Sequence, residues 1–369
     1  MPDPTAAAGG APDTDFFSTV LADLIQHKHL SVTQAEAAFG SIMDGNVPSE
    51  RIAAFLMALR VRGETQDELL GAVTALRQRM YPVANTPPDT IDVCGTGGDK
   101  YGTLNVSTAV AFVLAALGVP VAKHGNRAVS SLSGASDVLA ALSVPLSSDA
   151  EVLANQLAQH HVVFMAAPHH HPAMRHAAAA RKALALPTLF NLVGPMVNPA
   201  GVKRQLMGVF SPQWLRPVTE VLARLGSQCV WTVCGLPQDG QGGIDEITLA
   251  GPTRAVALEN GQIQSYQIEP EMAGLPYAPV SAIKGGDAGH NAQALEALLR
   301  GAHGAYRDTV LLNAAFALHV AGRQTILLNG RIDPVALRNS VATAARTLDN
   351  GTAFAVLNGL RASSTDAHA

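Results

Sequence analysis

Four short polar runs in this chain have the make-up of an anion site. Gly95-Thr96-Gly97-Gly98-Asp99 is too rich in glycine for helix or strand, and Asn105-Val106-Ser107-Thr108 opens a strongly apolar, alanine-rich segment. Lys123-His124-Gly125-Asn126-Arg127 and Ser130-Ser131-Leu132-Ser133-Gly134 follow. Free backbone N–H groups of a glycine loop, the positive end of a helix dipole and two basic side chains stabilise negative charge when a fold gathers them. Two familiar glycine motifs do not account for the first run. A dinucleotide fingerprint counted from Gly95 and Gly97 requires glycine where Lys100 stands, and a P-loop requires a Gly-Lys-Ser/Thr ending that is absent here.

Other residues extend the chemistry. Asp245-Glu246 follows the loop Gln241-Gly242-Gly243. Adjacent carboxylates in a strand point to opposite faces, whereas at a loop edge both can reach one oxygen-coordinated Mg²⁺. Ser107 is the third candidate ligand. An acidic pair on its own is more often a solvated surface feature. Arg181 lies on an alanine-rich helix, and its fork-shaped guanidinium suits a planar carboxylate. The histidines 160, 161, 169, 170, 171 and 176 invite a zinc reading, but no regular ligand spacing or partner Cys/Asp supports it.

These residues need a scaffold, and the apolar pattern supplies one. Residues 15–82 read as four helices with short loops: Pro48 stands at a helix start, Gly63 ends a helix, and Thr65 with Glu68 forms a capping box. The proline-rich run from Pro82 to Asp89 reads as a hinge. From Ile91 strands and helices alternate, which predicts a mostly parallel sheet in an α/β domain over 90–361. Strands are expected at Thr90–Cys94, Val119–Ala122, Val162–Met165, Gln205–Phe210 and Cys229–Val233. Both polar loops then fall at strand carboxyl ends, where open α/β sheets bind ligands.

Bulk properties fit this frame. At 369 residues, two domains are the default, and 48% apolar residues leave no reason to invoke extensive disorder. A net charge of −4 argues against a nucleic-acid surface without opposing a local basic pocket. Cys94, Cys229 and Cys234 lack metal or redox spacing, so reduced thiols and a cytoplasmic location are expected. Residues 1–14 have no basic residue and no apolar core, so a flexible tail is expected there rather than a signal peptide, with another at 362–369. No stretch is long and apolar enough to suggest a membrane partner.

The three runs Gly95 to Asp99, Asn105 to Thr108 and Lys123 to Ser131 resemble the phosphoribosyl-diphosphate loops of the anthranilate phosphoribosyltransferase family. The likeness keeps its order from about Leu21 to Phe354. Gly243-Ile244-Asp245-Glu246 resembles the family's metal-binding Gly-Leu-Asp-Glu. Ala167 to Met174 resembles its Ala-Pro-x-Tyr-His-Pro-Ala-Met, with His170 in place of tyrosine, and the family's anthranilate-binding arginine falls on Arg181. Asn191-Leu192-Val193-Gly194-Pro195 and Asn198-Pro199 match a further segment, read here as packing and turn.

The resemblance implies a small N-terminal helical domain, completed by a returning segment near 183–203, and a larger domain with a mostly parallel central sheet flanked by helices. It implies transfer of a phosphoribosyl group from phosphoribosyl diphosphate to anthranilate, in tryptophan biosynthesis. Donor-binding residues would be Gly95, Gly98, Asp99, Thr103, Asn105, Val106, Ser107, Thr108, Lys123, His124, Gly125, Asn126, Arg127, Ala128, Val129, Ser130, Ser131 and Ala135. Gly95, Asn126, His171 and Arg181 would serve anthranilate, and Ser107, Asp245 and Glu246 would hold Mg²⁺, two ions per subunit. A homodimer joined through the helical domains is implied, and no covalent nucleophile. Departures are Lys100, Leu132, and Ala128 for a common serine. Two related classes compete. Pyrimidine nucleoside phosphorylases carry Ser-Thr-Gly-Gly in the glycine loop, and a catalytically silent nucleic-acid-binding relative tends to lose the loop and to be more basic.

Overall fold

The computed structural model describes residues 14–126, 132–238, 240 and 242–363. The expected tails therefore lie almost wholly outside the described residues, as do Arg127 to Ser131. The chain divides into two compact units: one runs up to Met80 and includes His171–Val193, the other comprises Tyr81–His170 with the chain from Gly194 onward.

The first unit is helical: α1 (Thr14–Ile25), α2 (Val32–Met43), α3 (Ser49–Arg62) and α4 (Gln66–Arg77). The expected capping box is present, with Thr65 and Glu68 each satisfying the other's backbone N–H. Glu68 is fully buried and also accepts the Leu30 N–H at 2.9 Å and a bond from Arg62, so its charge is paired. The segment rejoining this unit is 171–193, earlier at both ends than the expected 183–203. Packing explains the shift. Helix Arg175–Leu184 lies on α3, and the Phe190 ring meets Phe39 edge-on at 5.5 Å. Residues beyond 193 bond instead to the sheet of the other unit, through Pro195 and Asn198.

The second unit is built on a seven-stranded sheet of order β3-β2-β1-β4-β5-β6-β7. These strands are β1 (Ile91–Gly95), β2 (Val121–Gly125), β3 (Val162–Ala166), β4 (Arg204–Gly208), β5 (Cys229–Gly235), β6 (Thr253–Glu259) and β7 (Gln262–Ile268). The first five run parallel and are largely buried on both faces, which is why they read as short apolar runs, with Asp92, Lys123, His124 and Gln205 among the buried polar exceptions. Lys123, His124 and Gly125 belong to β2, not to the loop after it as expected, because they continue the ladder with Phe164, Met165 and Ala166. The hairpin β6–β7 was not anticipated from the sequence. It turns at Asn260-Gly261, both at positive φ, the pairing that a two-residue turn favours.

Helix α5 (Val106–Ala116) follows β1 and is buried along nearly its whole length. Among the described residues no helix is long and apolar enough to cross a membrane. The three cysteines are buried and unbonded, and burial pushes the thiols of Cys229 and Cys234 up to about 12.

Candidate active site

The chain leaves β1 toward β2 and β3, then returns to place β4 on the other side of β1. This reversal makes the crevice over the carboxyl ends of β1 and β4 the natural ligand position of an open α/β sheet. Both strands end in glycine there, Gly95 paired with Gly208. An added methyl at Gly208 would fall 1.5 Å from the Asp245 carbonyl oxygen, and one at Gly95 would fall 2.3 Å from Asp245 Oδ2. The two glycines are thus the space that Asp245 occupies.

The acidic pair reaches this position because the chain after β5 folds back on itself. Gly235 and Ile244 exchange N–H···O bonds of 2.8 and 2.9 Å. Beyond the pair, the buried Asn313 side chain takes the Ile247 N–H at 3.1 Å and donates to the Ile247 carbonyl at 2.8 Å. Anchored on both sides, Asp245 accepts the Gly97 N–H at 2.6 Å. Gly97, Gly98, Lys100 and Gly102 all have positive φ, which lets this loop turn its amides inward; Lys100 does so at a steric disadvantage that glycine would not have.

Charge in the crevice is unbalanced. Burial pushes the Asp245 carboxyl above the usual range, and the charge of Asp99 adds to this against the Gly97 N–H. Burial likewise raises Glu246, followed by the charge of Asp245, while Lys123 and the Ser107 backbone N–H oppose the shift. Lys123 is buried and donates to the Val93 carbonyl at 2.8 Å and to Ser107 Oγ at 3.1 Å. The charges of Asp99 and Asp245 thus work against ionisation of the pair, with the Lys123 ammonium opposing them at Glu246. Among the described residues no three His, Cys, Asp or Glu side chains close a metal site by themselves. The donor set of two carboxylates and one hydroxyl, carrying excess negative charge, nevertheless fits a hard divalent cation completed by ligand oxygens.

Of the remaining expected donor residues, the described ones lie in the loop before α5, in α5 itself, in β2 and in the chain that follows it. Asn105 precedes α5 and is half-buried, while Val106 and Thr108 are buried, so their backbone rather than their side chains can face a ligand. Thr103 pairs with Lys284 in a short bridge. His124 is buried, with Nδ1 3.2 Å from the Gly194 carbonyl. An added methyl at Gly125 would sit 3.2 Å from the Ala135 side chain, and Asn126 is exposed. Arg127, Ala128, Val129, Ser130 and Ser131 are outside the described residues.

The acceptor candidates His171 and Arg181 belong to the helical unit. Arg181 is half-buried, its guanidinium 5.4 Å from the Phe190 ring centroid, and burial lowers its pKa. Among the described residues it has no ion-pair partner. His170 is buried, Nδ1 3.0 Å from the Tyr81 carbonyl, and it belongs to the other unit.

Sequence reasoning missed the groups that hold the crevice in shape. Asp92, fully buried in β1, accepts from Asn198 (2.8 Å), Gln205 (3.2 Å) and the His124 N–H (3.3 Å), tying β1 to β2 and to the returning chain. A lone carboxylate inside an apolar strand was the available signal, since a buried charge requires partners. Asn291, Tyr306 and Asn313, inside helical stretches, gave no such signal.

Fold and cradle together define a glycosyl transferase. Residues 87–354 match the glycosyl transferase family, a/b domain, and residues 18–80 match the glycosyl transferase family, helical bundle domain. The chain is 56% identical to the anthranilate phosphoribosyltransferase of Gluconobacter oxydans, over 94% of this chain and 95% of that one. It is 49% identical to that of Rhodopseudomonas palustris strain HaA2, over 95% and 99%. The chain belongs to the anthranilate phosphoribosyltransferase family. Its fold superposes on the Thermus thermophilus enzyme with a TM-score of 0.82 at 37% identity, covering 93% of this chain and 98% of that one. A Saccharomyces cerevisiae enzyme solved with PRPP and Mg shares the fold at a TM-score of 0.84 and 24% identity, over 96% and 99%.

Proposed function

We propose that the crevice over β1 and β4 binds phosphoribosyl diphosphate for the transfer to anthranilate that this family performs. The observation that carries the reading is the convergence of the glycine-loop amides, the α5 N-terminus, Lys123 and the Asp245–Glu246 pair on one point at the sheet's switch. The products are N-(5-phosphoribosyl)anthranilate and diphosphate. The bond from C1 of the ribose to diphosphate oxygen breaks with its electrons on the oxygen, the anthranilate amine forms the C1–N bond, and that amine gives up a proton.

The residues of the chain act by position and charge. Amides of Gly98 and Asp99, beside the Gly97 N–H that Asp245 holds, donate to phosphate oxygens together with the positive end of the α5 dipole, and Lys123 adds a fixed positive charge. Asn105, with Ser130 and Ser131 of the second loop, binds phosphate and ribose. Arg181 takes the acceptor carboxylate, with His171 and Asn126 orienting the ring. Ser107, Asp245 and Glu246 hold Mg²⁺, two ions per subunit in our reading. When bound, the metal neutralises charge on the departing diphosphate. We extend the proposal to a homodimer formed through the helical units, where Ile25 and Val61 are about three-quarters exposed, and to a cytoplasmic location.

The test is loss of anthranilate fluorescence on adding phosphoribosyl diphosphate and Mg²⁺. Consumption that needs both additions supports the reading, and fluorescence that stays constant with both present overturns it. Sedimentation showing an active monomer at micromolar concentration would reject the dimer alone.

A further inference from the structure

The amide of Asn291, in helix Ala288–Leu299, is committed at every polar atom. Its Oδ1 accepts the Gly286 N–H at 2.8 Å. Its two amide hydrogens go to Asn105 Oδ1 at 3.0 Å and to Ser133 Oγ at 2.8 Å. The side chain is 3% exposed, so none of these bonds has water as an easy substitute. Asn105 and Ser133 belong to the two polar runs on either side of the proposed donor, and Asn291 is bonded to both.

The chemistry of this amide sets a direction. Because the Gly286 N–H requires an acceptor, the carbonyl of Asn291 must face it and its NH₂ must face the other way. Asn105 can then meet Asn291 only with its own carbonyl oxygen. That leaves the Asn105 NH₂, without a partner among the described residues, as the group it offers to a ligand. An NH₂ donates to phosphate or ribose oxygens, whereas the opposite flip would present a carbonyl oxygen and repel them. The Asn105 backbone is fixed as well, its carbonyl accepting the Tyr306 hydroxyl at 3.0 Å. The preceding loop is pinned by Gly285 N–H to the Gly102 carbonyl at 2.8 Å and Leu104 N–H to the Ile283 carbonyl at 2.9 Å.

We propose that Asn291 is a positioning residue for the phosphoribosyl-diphosphate site: it selects the donating flip of Asn105 and sets the distance between the loop of Asn105 and the loop of Ser133. It touches no substrate, and the inference rests on the reading that these loops bind the donor.

The experiment compares Asn291→Asp, Asn105→Ala and the double variant. Donor affinity is measured by calorimetry with Mg²⁺ present, and acceptor KM by fluorescence. Asn291→Asp keeps the shape and the acceptor for Gly286 but loses both donated hydrogens. It should weaken the donor roughly tenfold or more, the loss of one hydrogen bond to a charged group, and leave the acceptor KM within about twofold. The double variant should be weaker than Asn105→Ala by less than Asn291→Asp costs alone, since the flip of Asn105 is lost in both single variants and only the spacing to the Ser133 loop remains to be lost. Ser133→Ala removes the bond from Asn291 together with the Ser133 hydroxyl's bond to the Gly286 carbonyl at 3.3 Å but leaves Asn105 oriented, so it should give a smaller loss of donor affinity and provides the measurement if Asn291→Asp does not fold. If Asn105→Ala weakens the donor while Asn291→Asp and Ser133→Ala do not, the donor reading stands and the positioning role falls. Fully additive losses also remove that role. If Asn105→Ala binds the donor normally, the donor reading of that loop fails and the proposal with it.

Discussion

The Asp245 carboxylate accepts the Gly97 backbone N–H at 2.6 Å, across 148 positions of chain. In this arrangement a side-chain carboxylate stands where an anionic ligand oxygen would be received. The same residue fills the gap left by the glycine ends of β1 and β4. One contact therefore ties the glycine loop, the sheet's switch point and the acidic pair into a single unit.

Adding one methyl should break that unit. Gly208→Ala places a carbon 1.5 Å from the Asp245 carbonyl oxygen, so the acidic loop must move. We expect a stability loss of about 1–3 kcal/mol, as for other overpacked sites, together with a much higher Mg²⁺ requirement. Gly194→Ala is the control, because an added carbon there meets nothing within 4 Å. Thermal unfolding and Mg²⁺ titration of activity measure both. Native Mg²⁺ dependence in Gly208→Ala would show that Asp245 need not sit where it does.

Removing the acidic pair should spare the fold. Asp245 and Glu246 are half-buried, and burial together with neighbouring negative charge works against their ionised forms. Asp245→Asn with Glu246→Gln should unfold at or above the native temperature in metal-free buffer, yet lose Mg²⁺ binding and turnover. Calorimetric Mg²⁺ binding in the presence of the donor reads the first loss directly. A folded double variant with native turnover would remove these residues from the metal site.

Arg181 and Lys123 should fail differently. Arg181 has an aromatic neighbour and no ion pair among the described residues, so Arg181→Ala should barely change stability. It should raise the acceptor KM by roughly ten- to a hundred-fold, the worth of a charge-assisted contact of about 1.5–3 kcal/mol. Lys123 is buried and satisfies the Val93 carbonyl, so Lys123→Ala should weaken the donor and also cost about 1–3 kcal/mol of stability. An anthranilate analogue without its carboxylate should be discriminated against by the native enzyme and much less by Arg181→Ala. Equal weakening of the donor by both substitutions would move Arg181 out of the acceptor site.

His170 makes stability depend on pH. Burial lowers its pKa from 6.5, outweighing the bond to the Tyr81 carbonyl, with the charge of His169 acting in the same direction as burial. The folded state then binds fewer protons than the unfolded state. The stability contribution is complete above the unfolded pKa and is lost as pH falls from about 6.5 through the folded value. His170→Gln keeps a donor for Tyr81 and does not titrate. Urea unfolding between about pH 7.5 and pH 5 should show a steeper decline for the native protein than for the variant. Parallel curves would mean that His170 protonates without penalty in the fold.

Much of this protein is written locally in its sequence. Thr65 and Glu68 cap α4 within one turn, and the glycine loop, the alanine-rich helix and the five apolar strands follow from backbone preference and burial over a few residues. The order of the site's parts was legible for the same reason, since each part is a short run with its own demand on the backbone. The Asn260-Gly261 turn was equally local and went unread, so the hairpin β6–β7 was legible without having been recognised. Other relationships had no local trace. Lys123 belongs to β2 because β3 offers its ladder a partner, and the returning segment ends at Val193 because Phe190 finds Phe39 while Asn198 finds Asp92 and Ala122. Asp245 meets Gly95 and Gly208 only after the sheet has set those glycines side by side. Asn291 orients Asn105 only because the fold brings a side chain 186 residues later to the residue that precedes α5. Such pairings are decided by which surfaces can be buried together, and that is a property of the assembled core rather than of any stretch of chain.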